Sequence, residues 1–332
     1  MMSTPTKQMG RAGARSRTLG SLGQLFARYG IVIALGLIVL ALSVLSDNFL
    51  TSGNLTNVLR QVSINGILAV GMTFVILTGG IDLSIGSVLA LTGMVGASLV
   101  AGSKPHSPIL AILAALAVGV VAGACSGIFI AWVRLPAFVV TLGMLSAVRG
   151  LTLIYSQGMP ISNLSSGFKF LGQGTFLGIP VSVVLFGATA LAAWVVLAYT
   201  VYGRRVYAVG GNMRSAHTCG INVRGIIFSV YALMGLLSAL AGVTLTARTT
   251  AALPQAGVAY ELDAIAAVVI GGTSLTGGIG GIPLTVVGVL IIGLLNNGLD
   301  LLGISSYYQQ VIKGLMIVAA VLIDKARHAD AA

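Results

Sequence analysis

Few side chains in this chain can do chemistry, and several of them lie beside glycine. Asp82 sits in "GGIDLSIG" (79–86) with Ser84 two residues on, and "GGTSLTGG" (271–278) repeats the pattern with Gly272 and Thr273. An aspartate ahead of a helix start is first a cap and second a group that could face a polar solute. Gly80 and Gly272 would let the backbone turn there. Asn65, Asn296 and Asn297 interrupt apolar runs and could line an aqueous route or join helices by hydrogen bonds. Arg149 and Lys313 fall inside apolar stretches. Arg149 is near enough to a helix end to reach outward to water. Glu261 and Asp263 open another stretch, where a helix N-terminus tolerates acids.

This inventory excludes more than it offers. His106, His217 and His328 all lie outside the apolar stretches, so a histidine proton relay through a membrane has no members. The sequence holds no H-E-x-x-H, no Cys/His cluster, no G-x-S-x-G and no Walker A motif, so no catalytic, cofactor or metal site is expected. Cys125 and Cys219 do not make a disulfide framework. Any ATP-driven step would belong to another chain.

The elements that must position these residues are apolar. The chain is 57% hydrophobic and 8% charged, against about 25% charged residues in soluble domains. Lipid is its natural solvent. The net charge of +11 could suggest nucleic acid, but the basic residues are not interleaved with aromatics, and membrane proteins have their own use for cationic loops. Apolar segments near 29–46, 62–79, 83–101, 109–133, 138–156, 181–201, 226–247, 262–280, 282–300 and 304–323 predict an all-α membrane protein of about ten transmembrane helices, some short or glycine-broken. No A-x-A site follows the first of them, so it reads as an uncleaved span rather than a signal peptide. Residues 1–28 read as a disordered basic cytoplasmic tail, 29–324 as the membrane domain, and 325–332 as a cytoplasmic tail.

Alternating the loops from a cytoplasmic N-terminus places Lys7, Arg11, Arg15, Arg17, Arg28, Arg134, Arg204, Arg205, Arg214, Arg224, Lys325 and Arg327 inside, twelve of the 18 basic residues. The positive-inside rule favours that orientation, with both termini cytoplasmic. Four of these arginines crowd into residues 202–225. Within that loop "RSAHTCGI" can form a short helix closed by Gly220, a plausible dock for a soluble partner. The two glycine-rich stretches share five positions and sit five spans apart, an odd offset that predicts inverted repeats around a transport path. Close helix packing through small residues is the plainer account of many of the 45 glycines.

"NVLRQVSINGILAVGMTFVILTGGIDLSIGSVLALTG" (57–93), "LPAFVVTLGMLSAVRGLTLIYSQGMPI" (135–161), "GRRVYAVGGN" with "GINV" (203–223), "YELDAIAAVVIGGTSLTGGIGG" (260–281) and "NNGLDLLGISSYYQQVIKGLMIVAAVLID" (296–324) closely resemble the permease subunits of bacterial ABC importers for simple sugars, the ribose/xylose/arabinose/galactoside group. The resemblance covers roughly residues 45 to 324. It implies a permease of the bacterial inner membrane, paired with a second copy, that takes a monosaccharide from a periplasmic binding protein and contacts cytoplasmic ATPase subunits. It places ATPase contact on the loop containing Gly203, Arg204, Arg205, Gly210, Asn212, Arg214, Ala216 and Gly220. The chain departs from the pattern at Ser215, His217, Thr218, Cys219 and Leu284. Nucleosides or branched-chain amino acids remain alternative solutes, and a carrier without an ATPase an alternative mechanism.

Overall fold

A computed structural model describes residues 15–102 and 106–329; Lys7, Arg11 and Lys104, and the ends of both expected tails, lie outside them. The helices are α1 (Arg15–Leu45), α2 (Ser52–Leu77), α3 (Ile85–Val100), α4 (Pro108–Ile128), α5 (Ala137–Ser156), α6 (Ser166–Gln173), α7 (Val181–Tyr199), α8 (Val201–Gly211), α9 (Met213–Thr218), α10 (Val223–Thr249), α11 (Tyr260–Ile270), α12 (Ile282–Leu301) and α13 (Ser306–Ala329). A π-helical turn, Phe129–Val133, extends α4, and a two-stranded hairpin, β1 (Thr175–Phe176) and β2 (Ile179–Pro180), precedes α7. The hairpin is the one small exception to an all-α fold among the described residues. The backbone of α1 begins at Arg15, inside the stretch read as a disordered tail.

Six helices are long and apolar enough to cross a membrane: α2, α4 with its π turn, α5, α7, α10 and α12. Two shorter apolar helices, Gly30–Leu45 and α3, join them. The expected segment 262–280 is not a full span. Only the eleven residues of α11 are helical, a rise of about 16 Å at 1.5 Å per residue. The chain then leaves the helix through Gly272, Gly277, Gly278 and Gly280, all with positive φ.

α10 is the axis of the bundle. It packs on α2, α3, α4 and α6, and Val230, Tyr231, Met234, Ala239 and Val243 on it are almost fully buried. Leu and lipid are equally apolar, so helices in a bilayer associate by close packing rather than by expelling water. Glycines supply that closeness. A Cβ at Gly119 would collide with the Gly235 carbonyl oxygen, one at Gly235 with that of Gly119, and one at Gly123 with that of Tyr231. Gly93 and Gly242 do the same for α3 and α10, against Thr246 and the Leu89 carbonyl. The outward faces of α4 and α5 carry Ile109, Leu113, Val121, Val139 and Ile154, all exposed, as a lipid-facing wall requires.

Replacing Gly235 by leucine should drive α4 and α10 apart. Overpacking a tight contact costs about 1–3 kcal/mol, so the variant should show a lower Tm in detergent. Gly143→Leu, at a position with nothing within 4 Å, should not.

Candidate functional site

The bundle has two faces. The turn after α2, the coil after α11, α8 and α9 lie on one, here termed the α9 face. The start of α2, the end of α10 and α6 lie on the other: Arg248 donates to Asn57 Oδ1 (2.8 Å) and Arg60 to the Gln173 carbonyl (3.2 Å). Non-helical chain penetrates the bundle from each side. From the α9 face, residues 78–84 lead to the start of α3. From the far face, residues 250–259 lead to the start of α11. These two inward coils meet, since a Cβ at Gly86 would collide with the Gly257 carbonyl oxygen and lie 2.7 Å from Glu261 Oε2. α3 and α11 therefore begin head to head and run in opposite directions.

Each inward coil is held by hydrogen bonds to its own backbone. Buried Asp82 accepts through Oδ1 from the amide and the hydroxyl of Ser84, at 2.8 and 2.6 Å, the local capping role open to it in the sequence. On the far side, Arg149 Nη1 donates to the carbonyls of Pro254 (2.6 Å) and Ala256 (2.9 Å). Arg149 therefore clamps residues 250–259 and does not snorkel. Glu261, expected at an interface, instead stands where two helix N-termini converge, whose partial positive charge suits a carboxylate.

The matched motifs close helices in the same way. Gly79 and Gly80 donate their amides to the carbonyls of Ile76 (2.8 Å) and Val75 (3.1 Å); Gly272 and Thr273 donate to Val269 (2.8 Å) and Val268 (3.1 Å). These are two Schellman ends, and they pair Gly79 with Gly272, one residue off the alignment of the motifs. The helices they close, α2 and α11, both arrive at the α9 face. The second motif thus ends its segment instead of opening it, and the two helices that the motifs close share a direction.

The two breaks touch. The Gly278 amide donates to the Leu77 carbonyl at 2.9 Å. The end of α8 lies against both, because a Cβ at Gly210 would collide with the Leu77 carbonyl and crowd the Gly278 amide. Tyr207 Oη donates to the Gly280 carbonyl at 2.9 Å. Partial burial raises the Tyr207 phenol above its ordinary pKa, so it remains a donor at neutral pH.

The expected docking residues divide in two. Arg204, Arg205, Asn212, Arg214 and Gly220 are exposed. Gly203 packs on the end of α7, Gly210 on the breaks, and Ala216 is buried in this chain's own core. α9 is capped by Asn212, whose Oδ1 accepts from the Ser215 amide (2.9 Å), and it ends at Gly220 (φ 79°), whose amide donates to His217 and Ile221's to Ala216, both 3.0 Å. Its free face shows Arg214, His217 and half-exposed Met213. Met213 was missed in the sequence; a methionine beside an arginine in a six-residue amphipathic helix is the signal. A cavity of about 960 Å³ lies between α9, the π turn and the first break, lined by Gly79, Gly80, Tyr231, Arg134, Arg214 and Arg224 among others.

The remaining path candidates do not form one cluster. Thr273 is buried at the second break with its hydroxyl unpartnered among the described residues, as is the side-chain oxygen of Asn65 within α2. Asn297 and Asn54 exchange reciprocal amide hydrogen bonds (2.8 and 3.0 Å) that fasten α12 to α2 near the far face. Asn296 lies beside Asp263, whose carboxylate pairs with Lys313 at 3.0 Å and joins α11 to α13. A smaller cavity of about 280 Å³ opens beside residues 250–259, lined by Thr246, Thr249, Gln255 and Tyr260 among others.

Residues 54–321 match the family described as branched-chain amino acid transport system / permease component, and the chain belongs to that family of transport permeases. Among its relatives, the Ribose import permease protein RbsC of Escherichia coli (strain K12) is 50% identical over 301 residues, 90% of this chain and 93% of the relative. RbsC of Bacillus subtilis (strain 168) is 49% identical over 304 residues, 91% and 94% of the two chains. The D-allose transport system permease protein AlsC of Escherichia coli (strain K12) is 41% identical over 300 residues, 90% and 91%. No solved structure matches the chain.

Removing one partner of a buried ion pair costs about 3–5 kcal/mol because the other charge is left behind, and this pair, with Asp263 buried but Lys313 partly exposed, falls below that range. Lys313→Ala should therefore lower Tm markedly, and adding Asp263→Asn should restore most of the loss. Equal and additive losses in a double-mutant cycle would show that the pair does not couple.

Proposed function

We propose that the chain is the transmembrane permease subunit of an ATP-driven importer that carries a monosaccharide of the ribose kind across a bacterial inner membrane. The observation that carries this reading is its near-50% identity to ribose import permeases along nine-tenths of both chains. In this reading the α9 face is cytoplasmic. The distribution of arginines supports that orientation. The same arginine count supports placing both termini on that face, and α13, which begins on the opposite side after α12, agrees with it for the C-terminal end. Ten crossings result when α3 and α11 are each taken with the coil that leads inward to it. The opposed half-helices α3 and α11 support an inverted relation between the two halves, in place of the motif pairing. A separate ATPase docks on the free face of α9, a periplasmic binding protein delivers sugar to the far face, and a second copy completes the permease.

The test is ATP hydrolysis in nanodiscs by the permease with its ATPase, stimulated by binding protein loaded with D-ribose, other pentoses, hexoses or leucine. D-ribose should stimulate most. Stimulation by leucine alone would favour the amino-acid reading that the family description carries, and hydrolysis indifferent to loaded binding protein would reject the importer.

Burial separates docking from folding roles in α9. Met213→Asp should leave Tm unchanged and reduce ATPase co-purification about tenfold, the loss expected for about 1.4 kcal/mol of apolar contact. Ala216→Leu should instead lower Tm, since its methyl has no space to grow. A Met213→Asp permease that retains all its ATPase would remove α9 as the dock.

A further inference from the structure

α8 and α9 are separated by one residue, and that residue closes both. The Asn212 amide donates to the Ala208 carbonyl at 3.1 Å, ending α8, and its side chain opens α9. A displacement of α9 is therefore carried to the end of α8 without an intervening loop to absorb it. There α8 has two kinds of contact with the glycine breaks. Gly210 brings backbone against backbone at Leu77 and Gly278, a contact that pushes but has no direction of pull. Tyr207 supplies the pull: its bond to the Gly280 carbonyl is the one side-chain hydrogen bond from α8 to either break among the described residues. The segment it holds is glycine-rich. Gly277, Gly278 and Gly280 have φ of 89°, 75° and 141°, conformations that glycine leaves at little cost. Without a tether, such a segment need not follow α8.

We infer that Tyr207 is a positioning residue of transport, which makes the second glycine break follow α9 when the ATPase moves it. The inference rests on the docking role proposed for α9. The first break follows through Gly210 and through the Gly278 amide bond to Leu77; the second follows through Tyr207. The two breaks then move as a unit, and the turn that ends α11 shifts relative to α12.

Tyr207→Phe removes the hydroxyl and keeps the ring. Tyr202→Phe is the matched control. Tyr202 is also on α8, but its hydroxyl bonds Ser229 of α10 at 2.8 Å and touches neither break. The full complex in proteoliposomes is assayed for sugar moved per ATP hydrolysed, with ATPase co-purification and Tm measured alongside. Tyr207→Phe should retain the ATPase and a wild-type Tm, hydrolyse ATP, and move about three- to tenfold less sugar per ATP, the range that one net hydrogen bond represents. Tyr202→Phe should keep the wild-type ratio. A normal ratio in Tyr207→Phe overturns the inference. So does a variant that loses Tm, hydrolysis and uptake together, because the bond would then serve stability alone. An equal fall in Tyr202→Phe overturns it too, by showing that any α8 hydroxyl matters. If the wild-type permease binds no ATPase, the docking reading fails first and takes this one with it; with wild-type coupling intact, only Tyr207 is at stake.

Discussion

The meeting of two half-helices governs this structure. α3 and α11 start head to head inside the bundle, and each start exposes amides that no helical carbonyl can accept, together with the positive end of a helix dipole. In hydrocarbon such groups must be satisfied within the protein. Asp82 takes the Ser84 amide and hydroxyl at one start. Glu261 stands at the other, close to Gly86. Arg149 supplies the missing donors to the carbonyls of the incoming coil. Asp82, Glu261 and Arg149 thus form a local electrostatic answer to a break in secondary structure.

The same demand explains the shape of α10. Irregular chain on both sides leaves α3 and α11 short, so a long neighbour must hold the bundle together. α10 does so by packing on α2, α3, α4 and α6, and close approach at Gly119, Gly123 and Gly235 makes this possible. On the α9 face, the end of α8 and the two breaks meet through backbone contacts at Gly210, Gly277 and Gly278.

Much of this was legible in the sequence. Apolar length located α2, α4, α5, α7, α10 and α12, and glycine located both breaks. The family was legible from long ordered motifs. The limits have physical causes. Hydropathy cannot see φ, so 262–280 read as a span although its second half is a run of left-handed glycines. Helical phase is indeterminate over six residues, so Ala216 was read as facing a partner although it is buried in this chain's own core, and Met213 on the exposed face was missed. The Asp263–Lys313 and Arg149–Pro254 contacts join residues 50 and 105 apart, and no local pattern announces such a pairing. The motif match went one residue astray because a Schellman end fixes which glycine is left-handed, while a string comparison counts glycines without conformation.

The Arg149 clamp has a consequence for how this chain can change over generations. Its two bonds go to main-chain oxygens of Pro254 and Ala256, which every amino acid possesses. Gln255 and Val258, between and beyond them, take no part in the clamp. The path of residues 250–259 is therefore set in part by a residue outside the segment, and exposed positions such as Gln255 and Val258 can drift without loosening the clamp, whereas Gly257, packed on Gly86 with positive φ, cannot. The guanidinium is not so free, because one nitrogen, Nη1, serves both carbonyls, and a side chain that cannot bring a donor to that point loses both bonds together. The exposed wall of the far-face cavity, Leu253, Gln255 and Val258 among it, can in this way be rewritten without rebuilding the helices around it.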